Sequence, residues 1–311
     1  MAAHTPLVAF EEDGRRLWLK PESFQPVGSF KLRGAYNKIA SLSYDERRRG
    51  VITYSSGNHA QGVAYSARAL GAKAVVVMPR SAPATKIDAT KALGAEIVPV
   101  GPSSAERQAK AEELAAQHGY VIIPPFNDEK IIAGQGTAGL EIVEDLPEVD
   151  LVLVPVGGGG LISGVATAVK LLRRQAKVIG VEPELAADAQ ASLRAGKIVA
   201  WSFEQVGHTL ADGLRTQHVG EINFEHIRRY VDDIVTVSEG EIREAMRRLA
   251  LGAHLVAEPS GAVTSAAFFF HSGELPRAEK TVAIISGGSV EPQLLASVLE
   301  GDWLEATIAS D

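Results

Sequence analysis

Short apolar runs recur along the first half of the chain at intervals of 22 to 24 residues, beginning near Val51, Ala74, Glu96 and Tyr120. Each of these runs reads as a strand. Between them lie segments with helical periodicity, Asn58 to Leu70, Ala84 to Leu93 and Ala105 to Gln117. Gly71, Gly94 and Gly119 stand just past the last periodic residue of each, where helix C-termini favour glycine. A second series has strands near Leu151, Val178 and Val282 and helices such as Leu161 to Leu172 and Glu239 to Leu251. The alternation predicts an α/β fold built from βαβ units with parallel sheets. The intervening segments are not self-similar, so a solenoid is excluded. Phe268-Phe269-Phe270 reads as core packing.

Composition narrows the function classes. The 311 residues are 46% hydrophobic and 22% charged, as in an ordinary globular protein, and length permits two domains. A net charge of −7 carries no nucleic-acid footprint. Arg47-Arg48-Arg49, beside Asp45 and Glu46, reads as a solvated helix end. No apolar stretch reaches membrane-spanning length and the start lacks a basic-then-apolar signal, so a cytoplasmic location is the default expectation. The absence of cysteine excludes disulfides, thiolate nucleophiles and cysteine-bound iron–sulfur clusters.

Candidate chemistry begins at Gly28-Ser29-Phe30-Lys31-Leu32-Arg33-Gly34. A lysine among small and apolar residues is either part of an ordinary turn or a desolvated amine able to form a Schiff base. Three strand-to-helix turns add to it. Val51 to Tyr54 leads into Ser55-Ser56-Gly57-Asn58-His59-Ala60-Gln61-Gly62, Leu151 to Val156 into Gly157-Gly158-Gly159-Gly160, and Thr281 to Ile285 into Ser286-Gly287-Gly288-Ser289. Each is compatible with a purely conformational turn. Together they offer an aldehyde-binding amine, a phosphate cradle at a helix start and polar clamps for a ring.

In this order the motifs, which span residues 4 to 291, closely resemble those of the serine/threonine dehydratase and serine racemase family of fold-type II pyridoxal-phosphate enzymes. The resemblance implies two interwoven parallel-sheet domains: a small one at residues 50–126, inserted into a large one formed by 1–49 and 127–311. The cofactor, pyridoxal 5'-phosphate, would lie in the cleft between them, at the carboxyl ends of strands. Lys31 would carry it as a Schiff base and act as acid and base at the substrate Cα. Phe30 would lie along the ring, Asn58 would bond the ring hydroxyl, and Gly157, Gly158, Gly159, Gly160 and Leu161 would hold the phosphate. Ser286 would face the ring nitrogen as a neutral partner, which favours prompt loss of a β-hydroxyl over a long-lived carbanion. Ser55, Ser56, Asn58 and His59 would grip the substrate carboxylate.

The resemblance also implies an activity: dehydration of L-threonine, L-serine or a related β-hydroxy amino acid to a 2-oxo acid and ammonia, by a homodimer. Ser56 matches the proton donor of serine racemases on the face opposite Lys31, so racemisation stays open, as does hydroxyaspartate dehydration. Glu182, Ala186 and Asp188 lie in an acidic loop whose spacing recurs in metal-activated relatives, and they would bind Mg²⁺ or Ca²⁺ away from the chemistry. The start at His4-Thr5-Pro6-Leu7 is short for the family, residues 9–16 are too few for a helix often found there, and Ser289 stands where asparagine is frequent. Isoleucine feedback is not expected, because no regulatory domain follows Asp311. Two other readings compete: a β-replacement synthase of the same fold, and a non-catalytic phosphate- or nucleotide-binding protein for which Lys31 has no role.

Overall fold

The computed structural model describes residues 1–301 apart from Asp13, Ser56, Pro83 and Pro102. Strands β1 (Val8–Glu12) and β2 (Arg15–Pro21) form an antiparallel hairpin where the sequence is too short for a helix. Strands β3 (Val51–Tyr54), β4 (Ala74–Pro79), β5 (Glu96–Val100) and β6 (Val121–Ile122) make a parallel sheet in the order β5-β4-β3-β6. Strands β7 (Leu151–Pro155), β8 (Lys177–Pro183), β9 (Asp233–Val237) and β10 (Thr281–Ile285) join the hairpin in a six-stranded sheet ordered β1-β2-β10-β7-β8-β9. All pairings except β1–β2 are parallel. Strands β4, β7 and β10 are buried along their whole length, which accounts for their unbroken apolar runs.

The helices end where the glycine pattern predicts. Those at Asn58–Ala69, Ala84–Ala92 and Ser104–His118 are followed by Gly71, Gly94 and Gly119, with φ of +69°, +92° and +72°. This left-handed backbone carries no Cβ penalty in glycine. Phe268 and Phe269 are core residues, but Phe270 is 38% exposed. Its ring instead lies 5.1 Å beneath the Arg248 guanidinium, a cation–π contact at the surface.

Strand order decides where a site can form. From β3 the chain moves to β4 and β5 on one side, then returns to β6 on the other. From β7 it moves to β8 and β9, then returns to β10 on the opposite side. Each sheet therefore has a point at which successive connections part and leave a crevice beyond the carboxyl ends of the strands.

The helix Lys31–Ala40 packs between the helices Asn58–Ala69 and Glu129–Asp145. Its Ala35 and Ile39 join the core of the four-stranded sheet. The crossing with the third helix is tight: a Cβ on Gly134 would lie 2.5 Å from the Arg33 carbonyl and 2.6 Å from the Gly34 Cα.

Candidate active site

One cavity of about 580 Å³ opens onto the loops that follow β3, β6, β7 and β10. It is lined by Phe30, Lys31, Ser55, Asn58, His59, Gly157, Gly158, Gly159, Gly160, Leu161 and Ser286, brought together from four separated segments. Ser56 lies outside the described residues. Glu182, Ala186 and Asp188 do not line this cavity.

Lys31 is the first residue of its helix, preceded by Phe30 as the N-terminal cap. The entry segment is pinned to the turn after β10. The Phe30 amide donates to the Ser286 carbonyl at 3.0 Å, and the Gly288 amide to the Gly28 carbonyl at 3.0 Å. The Lys31 Nζ donates to the Pro125 carbonyl at 3.0 Å and stands 5.1 Å from the centroid of the Phe30 ring. Burial of the amine lowers its pKa to about 8, against the opposing charge of Glu258. A usable fraction is therefore unprotonated near neutral pH.

The loop after β7 is shaped by what it excludes. A Cβ on Gly158 would fall 2.3 Å from the Phe126 ring, and one on Gly159 would fall 2.8 Å from the Asn223 Cβ, with φ at +92°. Gly159 caps the helix Gly160–Leu172, whose first amides have no intrahelical acceptor. A side-chain-free loop at a helix N-terminus is an anion cradle.

On the opposite wall, Asn58 and His59 open the helix Asn58–Ala69. The Asn58 Nδ2 donates to Glu258 Oε1 at 2.6 Å. His59 is buried, and its Nε2 donates to the Ile123 carbonyl at 3.0 Å, so the ring supports the turn and does not project into solvent. Burial, followed by the nearby Lys31 charge, lowers its pKa to about 3 and keeps it neutral. Ser286 is buried and its Oγ donates to the Ser260 carbonyl at 3.2 Å.

Several cavity residues escaped the sequence reading: Glu258, Lys86, Asp212, Arg107 and the Pro125-Phe126 pair. Glu258 had a usable signal, a carboxylate between the apolar stretch Leu255-Val256-Ala257 and an apolar helix start. It is buried, and burial together with repulsion from Asp212 pushes its pKa up to about 8. Lys86 and Asp212 form an ion pair at 2.6 Å and had no local signal.

The acidic loop is a separate feature. Glu182 is the penultimate residue of β8 and is fully buried; its two oxygens accept from the amides of Ala189 (3.0 Å) and Gln190 (2.7 Å). Asp188, also fully buried, has no partner for either carboxylate oxygen among the described residues. Burial pushes Asp188 up to about 7 and, with the Asp188 charge, raises Glu182 well above the carboxylate range. Among the described residues, no group of three or more His, Cys, Asp and Glu side chains is arranged to hold a metal ion.

Comparison with known proteins gives a consistent picture. A family model described as pyridoxal-phosphate dependent enzyme matches residues 2–287. An L-threonine ammonia-lyase of Thermotoga maritima is 46% identical over 293 residues, which is 94% of this chain and 72% of the relative. An L-threo-3-hydroxyaspartate ammonia-lyase of Saccharomyces cerevisiae is 43% identical over 288 residues, 93% of this chain and 87% of the relative. The solved structure of the processed form of threonine deaminase isoform 2 from Solanum lycopersicum matches with a TM-score of 0.91 at 42% identity, covering 96% of this chain and 88% of that one.

Proposed function

The chain belongs to the family of pyridoxal-phosphate dependent enzymes, and on that premise we propose how its own residues carry out the reaction. The activity is that of a dehydratase, a lyase that removes the β-hydroxyl of a small amino acid and ends in a 2-oxo acid and ammonia. The cofactor fits the cavity because the cradle after β7 leaves room for no side chain at Gly158 or Gly159 and opens a helix whose first amides have no intrahelical acceptor and no side-chain cap. When bound, pyridoxal phosphate supplies an aldehyde that takes up amines and a ring that draws electrons from the substrate α-carbon.

The observation that carries the residue assignment is Lys31: a desolvated amine on the same cavity as that cradle, held by the Pro125 carbonyl. Lys31 is the group for the aldehyde and the base for the α-proton. Gly157 to Gly160 and Leu161 hold the phosphate. Phe30 covers the ring, and Asn58 and Ser286 bind its polar edge. Glu258 orients Asn58 by accepting one of its amide hydrogens. Ser55 and Asn58, with Ser56 between them in sequence, receive the substrate carboxylate, while neutral His59 braces the turn.

L-Threonine and L-serine are the proposed substrates. 3-Hydroxyaspartate is the second reading, favoured by the basic side chains of Lys86 and Arg107 on the cavity wall. The test is 2-oxo acid release from L-threonine, L-serine and L-threo-3-hydroxyaspartate in parallel, with D-serine followed in the same samples. Faster release from hydroxyaspartate than from threonine would replace the first reading with the second. Release from none of the three would remove both.

Glu182, Ala186 and Asp188 are further proposed to bind Mg²⁺ or Ca²⁺. The support is Asp188, whose two buried oxygens lack partners beside a second buried carboxylate. Hard cations accept such a set when a backbone carbonyl and waters complete the shell. Exhaustive chelation is expected to lower the melting temperature, and excess Mg²⁺ or Ca²⁺ to restore it. A cation at a hundredfold its dissociation constant stabilises the fold by about 2.7 kcal/mol. Asp188→Asn should abolish the response, and a melting temperature indifferent to chelation would refute the site.

A further inference from the structure

Among the polar contacts that join the wall built on the four-stranded sheet to the wall built on the six-stranded sheet are Asn58 with Glu258 and Lys86 with Asp212, each at 2.6 Å. The second has a feature that the reaction scheme leaves unexplained. Lys86 projects from the helix Ala84–Ala92 into the cavity, and its side chain is only 14% exposed. A Cβ on Gly57 would lie 3.7 Å from its Nζ, so the ammonium sits against the turn Ser55 to Asn58.

Other charged groups of the cavity are held by uncharged partners. The Lys31 amine is on the Pro125 carbonyl, Glu258 on Asn58, Glu221 on the Asn127 amide at 2.6 Å, and the Arg215 guanidinium on the Thr209 carbonyl. Lys86 is instead held by a carboxylate whose side chain is 45% exposed. An ion pair with one partner this open to water is weak and exchangeable. A second carboxylate arriving at the Ser55–Asn58 turn has the same chemistry as Asp212 and a more enclosed position beside the ammonium.

We propose that Lys86 is a substrate-carboxylate-binding residue, that Asp212 occupies it in the substrate-free cleft, and that the substrate displaces Asp212 on binding. This rests on the reading above that an amino-acid carboxylate is received at the Ser55–Asn58 turn. Asp212 is then a competitor: it keeps the Lys86 charge compensated and positioned while the cleft is empty, and it weakens binding by the energy of the pair.

The two partners consequently have opposite effects. In the holoenzyme, Lys86→Gln is expected to raise KM for the β-hydroxy amino acid about tenfold or more, as loss of a hydrogen bond to a charged group does. Asp212→Asn is expected to lower KM, by about two- to fivefold, the range of a surface ion pair. Titration with glycine, which has the carboxylate but no leaving group, gives the same comparison without turnover through the shift in cofactor absorbance. Its dissociation constant should rise in Lys86→Gln and fall in Asp212→Asn.

If both substitutions weaken glycine binding alike, the pair is only a bridge holding the cleft closed, and the proposal is overturned. Unchanged glycine binding in Lys86→Gln also overturns it. Opposite shifts in glycine binding, with no 2-oxo acid formed from any β-hydroxy amino acid, uphold Lys86 as the carboxylate ligand and refute the dehydratase substrates.

Discussion

Lys31→Ala is expected to leave a folded protein with no measurable turnover, a loss of about 10⁴-fold or more, because covalent capture and acid–base catalysis fall together. The expectation follows from its position. The amine is buried, is lowered to about 8, and is aimed by a backbone carbonyl, which cannot neutralise it as a carboxylate would. Lys86 on the same cavity is no substitute: burial lowers its pKa, but the Asp212 carboxylate outweighs this and holds the amine protonated. Borohydride reduction of the native protein followed by peptide mass analysis should find the cofactor fixed to Lys31. An adduct on Lys86, or residual activity in Lys31→Ala within tenfold of the native rate, would break the assignment. Folding should be unharmed, because removing a desolvated amine relieves a cost of burial.

The second large effect is on stability and lies two residues further along the same helix. Arg33 is buried and makes paired hydrogen bonds to two carboxylates. Its Nε and Nη2 reach Glu22 at 2.6 and 2.7 Å, and its Nη1 and Nη2 reach Glu141 at 2.6 and 2.7 Å. Lys20, fully buried, adds a contact to Glu141 at 2.7 Å and donates to the Thr5 carbonyl. Replacing such a network with apolar residues can be neutral, but removing one partner strands the others. Arg33→Ala would leave Glu22 buried without its guanidinium and should cost about 3–5 kcal/mol, measured by urea denaturation.

Acid should weaken the same cluster. Burial pushes the Glu141 carboxyl up, but Arg33 and Lys20 outweigh this and hold it below its usual pKa. A carboxyl with a lowered folded-state pKa adds stability that is present at neutral pH and is lost as pH falls through that value. A loss under 1 kcal/mol in Arg33→Ala would mean that the cluster contributes little. Because Arg33 and Lys31 share a helix, cofactor affinity should fall with it, which absorbance after dialysis would reveal.

Much of this molecule is legible in its sequence, and the reason is locality. Strand and helix alternation follows from the spacing of apolar residues, and the stops at Gly71, Gly94 and Gly119 follow from a backbone angle that glycine adopts without strain. The same holds for the site segments that are themselves turns. Phe30, Lys31, Ser55, Asn58, His59, Gly157 to Gly160, Leu161 and Ser286 stand at strand ends or helix starts, and all of them border one cavity. The acidic loop was readable as spacing, whereas the burial that leaves Asp188 without partners was not.

Tertiary structure decided which of these turns meet and what joins them. The Lys31 amine finds the Pro125 carbonyl across 94 positions, Lys86 finds Asp212 across 126, and Asn58 finds Glu258 across 200. These pairings depend on strand order, which places the carboxyl ends of β3 and β6 opposite those of β7 and β10. They leave no periodic trace, because a residue that acts across a cleft needs only a suitable position and a suitable charge. His59 is the clearest case: the resemblance placed it in the turn that would grip the substrate carboxylate, and only the tertiary structure shows it buried, with its Nε2 on the Ile123 carbonyl. The sequence by itself determined the strands, the turns and the setting of Lys31 among small and apolar residues, since these depend on neighbouring residues. The counter-charges, the cavity and the company each side chain keeps came from long-range packing, where desolvation and proximity set the chemistry.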